Sequence, residues 1–265
     1  MTIVYIGLIR SVVFLFGCIL GSFVGAASYR IPRGMSLIAP RSHCPDCGHV
    51  LGPSDLVPLL SFLHSRRCAY CGEPISWRYF LIEMTSGLSV LVAYVRHGLG
   101  LLFVLEITLV LWALLLAVID IEHRRLPNVL TILGMALGVI FNTAWYLIRG
   151  AESAQYLSFL GCCEILAPKF SPLHSLAGIV TGGGILWLVA LLSKGGMGGG
   201  DVKFLAAIGS FVGPGAALAV LFLSSLFGSI FGIALMIMGR WERRQAIPFG
   251  PFLTLATMVV LLAGS

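Results

Sequence analysis

The chain has 265 residues, of which 58% are hydrophobic and 11% charged, and its net charge is +6. Globular domains carry roughly a quarter charged residues, so this composition excludes an ordinary soluble domain. In a chain this apolar, an excess of Lys and Arg belongs to membrane-facing loops and anionic lipid headgroups and implies no nucleic acid.

The first apolar run extends from Ile6 to about residue 28 with no basic segment before it, and reads as a permanent span rather than a cleaved signal. A polar loop over residues 29–78 follows. It contains Cys44-Pro-Asp-Cys47 and Cys68-Ala-Tyr-Cys71, each second cysteine followed by glycine. Two such turns direct four thiolates at one point, the arrangement of a tetrahedral zinc site. Four sulfur ligands leave no open position, so the expected role is structural. A loop this short also lacks the core to fold unaided. His43, His49 and His64 are expected to be surface or supporting residues rather than ligands.

Further spans are expected near 79–95, 99–119, 128–148, 173–193, 202–213, 215–238 and 247–264. The chain is therefore an all-α polytopic membrane protein with about eight transmembrane helices. A small cytoplasmic zinc-knuckle domain lies between the first and second spans. The domains divide as 1–28, 29–78 and 79–265. The span ending at Pro214 is short, as expected of a broken or strongly tilted helix.

Orientation follows from Lys and Arg. With the 29–78 loop inside, the inner segments hold Arg30, Arg33, Arg41, Arg66, Arg67, Arg78, Arg124, Arg125, Lys194, Lys203, Arg240, Arg243 and Arg244. Arg10, Arg96, Arg149 and Lys169 remain outside, so the count is thirteen against four. The cysteine loop is then cytoplasmic, where disulfides are disfavoured.

Four acidic residues, Glu83, Glu106, Asp120 and Asp201, lie in or at the ends of apolar spans, where carboxylates are costly and default to function. Glu83 and Glu106 are expected to bond neighbouring helices or line a site. Asp120 ends the apolar run Leu111 to Ile119, and its alternative role is a helix-end pair with Arg124. Asp201 follows Gly198, Gly199 and Gly200, and its alternative role is an N-cap. The glycines instead leave room for a peptide backbone beside the carboxylate, which a protease needs. Two adjoining carboxylates share a proton: one activates water while the other polarises the scissile carbonyl. Sequence does not say which aspartate does which.

The motifs in order resemble the bacterial prepilin peptidases, or type IV leader peptidases, of the Gly-x-Gly-Asp membrane aspartyl proteases. They include Gly21-Ser22-Phe23, Tyr29-Arg30-Ile31-Pro32, the two Cys pairs, Asp55 to Ser61, and Ile119-Asp120 with Leu126-Pro127-Asn128. Gly198-Gly199-Gly200-Asp201-Val202-Lys203 and Ile247-Pro248-Phe249-Gly250-Pro251 complete the series. The resemblance implies cleavage of a basic leader from prepilin or pseudopilin precursors, after a Gly, at the cytoplasmic face of the bacterial inner membrane. It also implies methylation of the new N-terminus with S-adenosylmethionine. Asp120 and Asp201 would be catalytic, Gly198, Gly199, Gly200 and Lys203 would contact substrate, and Cys44, Cys47, Cys68 and Cys71 would hold structural zinc. The chain departs from the family at Gly25, commonly Asn, and at Asn128, commonly Asp.

Other readings stay open at this point. They are a peptidase without methyl transfer, a presenilin-type intramembrane protease, and a proton-coupled transporter. The zinc knuckle and the placement of the aspartates at span ends weigh against the last two.

Overall fold

The structure, a computed structural model, describes residues 2–38, 44, 47–50, 52, 67–68, 70–74, 76–149, 171–193, 198–239 and 247–263. Asp55 to Ser61, His43, His64, Arg66, Cys162 and Cys163 lie outside the described residues. So do Lys194 to Met197.

Seven α-helices make up the described chain: α1 (Thr2–Arg30), α2 (Trp77–His97), α3 (Leu101–His123), α4 (Asn128–Arg149), α5 (Pro172–Leu192), α6 (Gly199–Ile237) and α7 (Gly250–Ala263). By length and composition the first six are apolar enough to cross a membrane, and α7 is a shorter apolar helix. Large apolar side chains such as Leu8, Val12, Leu15 and Ile19 line an exposed face of α1. Water would penalise such a stripe and lipid does not.

The chain forms two compact units, Met1–Leu115 and Leu116–Ser265. In the first, α1 ends at Arg30 and passes into a 3₁₀ turn at Ile31–Arg33, stopped by left-handed Gly34. Ser76 then caps α2, its hydroxyl accepting from the Arg78 N–H. Small residues let α1 and α2 approach closely; a Cβ on Gly87 would lie 2.6 Å from Cys18 Sγ. Val90, Ala93 and Phe103 form the core here, with Val13, Leu20, Tyr94 and Ile107 against it. Glu106 is buried and accepts from Arg96 at 3.0 Å, with His97 Nε2 at 2.7 Å. It ties α3 to the end of α2, as expected for a span carboxylate that bonds a neighbour. Gly25 faces Tyr79, whose Cδ1 would lie 3.2 Å from an added Cβ, so a larger residue would displace that ring.

The second unit is organised around α6. At 39 residues it would extend about 58 Å as a straight helix, far beyond a hydrocarbon core of about 30 Å. It is not straight: Gly213 has φ 80° and ψ 179°, and Pro214 follows. The expected break at Pro214 is therefore a kink joining two helical segments. With α7, this gives eight helical segments among the described residues, but only six helices, α6 counted once, are long and apolar enough to cross a membrane. Proline has no N–H, so the Ser210 carbonyl four residues back loses its helical donor. Asn142 of α4 supplies one, its Nδ2 lying 2.8 Å from Ser210 O and 3.2 Å from Phe211 O. The Ser175 hydroxyl of α5 donates to Ser210 O as well, at 2.5 Å. Asn142, Ser175 and Ser210 are all buried, so these bonds replace what water cannot provide. Helices α5 and α6 meet almost backbone to backbone, since a Cβ on Gly178 would fall 2.0 Å from Gly209 O.

Candidate active site

Asp120 and Asp201 come together in the second unit. Helix α3 continues past Asp120 to His123, so the carboxylate sits on the last helical turn. The helix stops at Arg124, a non-glycine residue at φ 51°, whose N–H donates to Asp120 O at 2.9 Å. Pro127 and Asn128 then start α4.

Asp201 lies in the first turn of α6, and the N-cap is Gly198, not Asp201. The capping alternative is thus corrected in position: α6 begins three residues before the expected start at 202, so Asp201 stands on the first turn and its carboxylate accepts from the N–H of Gly198, the N-cap. The Asp201 N–H donates to Gly198 O at 3.2 Å. The two carboxylates act on each other electrostatically. Asp120 is buried at 5% exposure, whereas Asp201 is half-buried, so the pair faces an accessible side.

Of the glycines beside Asp201, Gly198 and Gly199 are exposed and Gly200 is half-buried. Among the described residues nothing outside the helix's own backbone lies within 4 Å of where a Gly199 Cβ would stand, while a Gly200 Cβ would lie 3.1 Å from Leu126 Cβ. Gly199 therefore borders open space, and Gly200 packs against the segment that follows Asp120. Lys203 is engaged within the protein, its Nζ donating to Asn128 Oδ1 at 2.8 Å.

Sequence reasoning missed Gly250. Its N–H donates to Asp120 Oδ2 at 2.8 Å, across 130 positions of chain. It stood in a recognised motif, but nothing local indicated its partner.

In the first unit, Cys44, Cys47, Cys68 and Cys71 place their sulfurs within 4.8 Å of one another. The two turns match: Gly48 N–H donates to Cys44 O and Gly72 N–H to Cys68 O, both at 2.9 Å, with left-handed φ of 71° and 76°. Left-handed backbone explains the glycine after each pair. Cys44 and Cys71 Sγ lie 3.9 Å apart, against about 3.8 Å expected for two sulfurs on one tetrahedral zinc. Backbone N–H groups of Cys71 and Tyr70 hold the Cys68 thiol down at about 7. The N–H of Glu73 favours the Cys71 thiolate, but burial and the neighbouring sulfurs outweigh it and push that thiol up to about 12. Four sulfurs so close cannot all ionise without a cation, and a divalent ion resolves the conflict. His49 stacks on Tyr70 with ring centroids 3.5 Å apart.

The bacterial peptidase A24 N-terminal domain matches residues 15–97, and the type IV leader peptidase family matches residues 107–233. A prepilin leader peptidase/N-methyltransferase of Bacillus subtilis (strain 168) is 33% identical over 255 residues, covering 96% of this chain and 94% of that protein. One of Aeromonas hydrophila is 37% identical over 282 residues, covering 96% and 90%. One of Pseudomonas aeruginosa is 30% identical over 277 residues, covering 94% and 89%. No solved structure matches the chain.

Proposed function

The chain belongs to the type IV leader peptidase family, and from that premise we propose that it removes the leader of prepilins or pseudopilins and methylates the new N-terminus. It is a multi-pass membrane protein. The observation that carries the peptidase half is the convergence of Asp120 and Asp201 beside an open stretch of glycines.

One aspartate of the pair is ionised and the other protonated. The ionised carboxylate takes a proton from water as its oxygen bonds to the scissile carbonyl carbon. The protonated partner hydrogen-bonds the carbonyl oxygen as negative charge develops there. When the C–N bond breaks, the proton taken from water passes to the leaving amine. Gly198 and Gly199 leave space for the extended leader backbone at this point, since neither carries a side chain to exclude it. Lys203 acts on the substrate through Asn128, by holding the first turns of α4 and α6 together.

Cys44, Cys47, Cys68 and Cys71 would hold a structural zinc ion, which supplies folding stability to a loop with little core of its own. The positive-inside count supports a cytoplasmic position for the loop and the aspartates. S-adenosylmethionine is the methyl donor in this reading, in keeping with the methyltransferase named in the relatives.

The test is incubation of the purified chain, in lipid, with a prepilin and labelled S-adenosylmethionine. A product cut after Gly and carrying label supports both halves, a cut unlabelled product leaves proteolysis alone, and intact precursor refutes the reading.

A further inference from the structure

Asp120 stands on the last turn of α3, where a buried backbone donor reaches its carboxylate: the Gly250 N–H, 2.8 Å from Oδ2. That donor belongs to residues 247–252, a segment stiffened by Pro248 and Pro251, whose rings fix φ at two of its positions. The fit is close, since a Cβ on Gly250 would stand 2.8 Å from Asp120 Oδ2 and 3.1 Å from Asp120 Cβ. The carboxylate is therefore held only as well as the segment is.

What the segment rests on is α6. Gly228 and Gly232 are four residues apart and share one face of that helix. A Cβ on Gly228 would lie 3.6 Å from Phe252 Cδ2 and 3.8 Å from Phe249 Cε2, and one on Gly232 would lie 3.4 Å from Ile247 Cδ1. A longer side chain at either place would enter the space that these three residues fill. Phe231, beside the notch, meets the Phe252 ring with centroids 5.5 Å apart. Phe249 and Phe252 thus lie against α6 on either side of Gly250.

The start of α6 reaches the same place. Gly200 packs on Leu126 and Lys203 bonds Asn128, both just after Asp120 in the chain. A straight helix would hold Gly200 and Gly228 about 42 Å apart. The break at Gly213 folds α6 back, so its first turn and its glycine notch both meet the surroundings of Asp120.

We propose that Gly228 and Gly232 are positioning residues of the reaction: they seat residues 247–252 on α6, and the seated Gly250 N–H fixes the Asp120 carboxylate. One helix then sets both members of the pair, Asp201 on its own first turn and Asp120 through the seat. This role rests on the peptidase reading above and holds whichever carboxylate carries the proton. The seat acts on the chemical step and leaves leader binding alone, because it touches Asp120 through Gly250.

The experiment is steady-state cleavage of a prepilin by the full chain in lipid, with Tm measured beside it. The variants are Gly228→Ala, Gly228→Leu, Phe252→Ala and the double variant Gly228→Leu with Phe252→Ala. Gly228→Leu is expected to lose about 10²-fold in kcat with little change in KM, as a misplaced reacting group does. Gly228→Ala puts only a Cβ at ordinary contact distance, so it should lose far less. The double variant should recover most of the kcat lost in Gly228→Leu, because the space left by the ring accepts the leucine. Folded Gly228→Leu cutting at the wild-type kcat overturns the proposal. So does a raised KM at unchanged kcat, which would make the notch a substrate contact, and so does a double variant no faster than Gly228→Leu. If Gly228→Leu does not fold, Phe252→Ala decides: a several-fold loss of kcat at unchanged KM supports the seat, and a wild-type kcat overturns it. Failure of the peptidase reading is a separate result, shown by wild type that leaves the precursor intact.

Discussion

Lys203 donates to Asn128 Oδ1 at 2.8 Å and so joins the first turn of α6, which carries Asp201, to the first turn of α4, which follows Asp120. The contact is exposed, so its worth lies in alignment more than in stability. Asn128→Ala should change stability by less than about 1 kcal/mol while cleavage falls several-fold. Asn128→Asp keeps the acceptor and adds a charge complementary to Lys203, so it should cleave at least as fast as wild type. Initial rates and Tm measured side by side check this, and a large loss of Tm in Asn128→Ala would contradict it.

Asn142 should matter to the fold far more than an isolated polar residue in a span would. Asn142→Leu removes a donor from the buried Phe211 carbonyl, at a cost of about 1–3 kcal/mol, and leaves the Ser210 carbonyl with the Ser175 hydroxyl. Asn142→Asp should be worse, since it turns an acceptor toward two carbonyls. Thermal unfolding of the two variants tests the order.

Gly199 separates substrate access from stability. Among the described residues nothing crowds its missing side chain, so Gly199→Val should change stability by less than about 1 kcal/mol. It should nonetheless raise KM about tenfold by narrowing the approach to Asp201. An unchanged KM would show that the leader does not pass this point.

The cysteine cluster predicts one zinc ion per chain. Cys44→Ser or Cys71→Ser should lose the metal and weaken the loop, because breaking a structural zinc site removes folding free energy outright. Elemental analysis of purified protein, with protease sensitivity of the loop before and after chelation, is the measurement. Metal at full occupancy in Cys44→Ser would contradict a four-sulfur site.

What was legible in the sequence was legible for chemical reasons. Cysteine pairs followed by glycine, and carboxylates bordering apolar runs, are residue types that a lipid-embedded chain does not place idly. Pro214 announced a break in α6 for the same reason, as proline cannot donate. The remedy for that break was not legible, because Asn142 lies 68 positions from the carbonyl it serves. Gly250 shows the same limit at 130 positions from Asp120. Helix ends also shifted by a few residues, and at Asp201 that shift mattered: it turned a possible cap into a first-turn residue whose carboxylate reaches back to the Gly198 N–H. Local pattern reports which residues are costly, and only the packed helices report what answers them.

The central claim is that Asp120 and Asp201 act as one pair. The most direct test measures prepilin cleavage rates for Asp120→Asn, Asp201→Asn and the double variant, each shown to be folded and zinc-loaded. Groups that act as a unit are strongly non-additive, so either single change should abolish cleavage as fully as both together. A single variant that still cuts at the wild-type rate, or losses that simply multiply in the double variant, would contradict the pair.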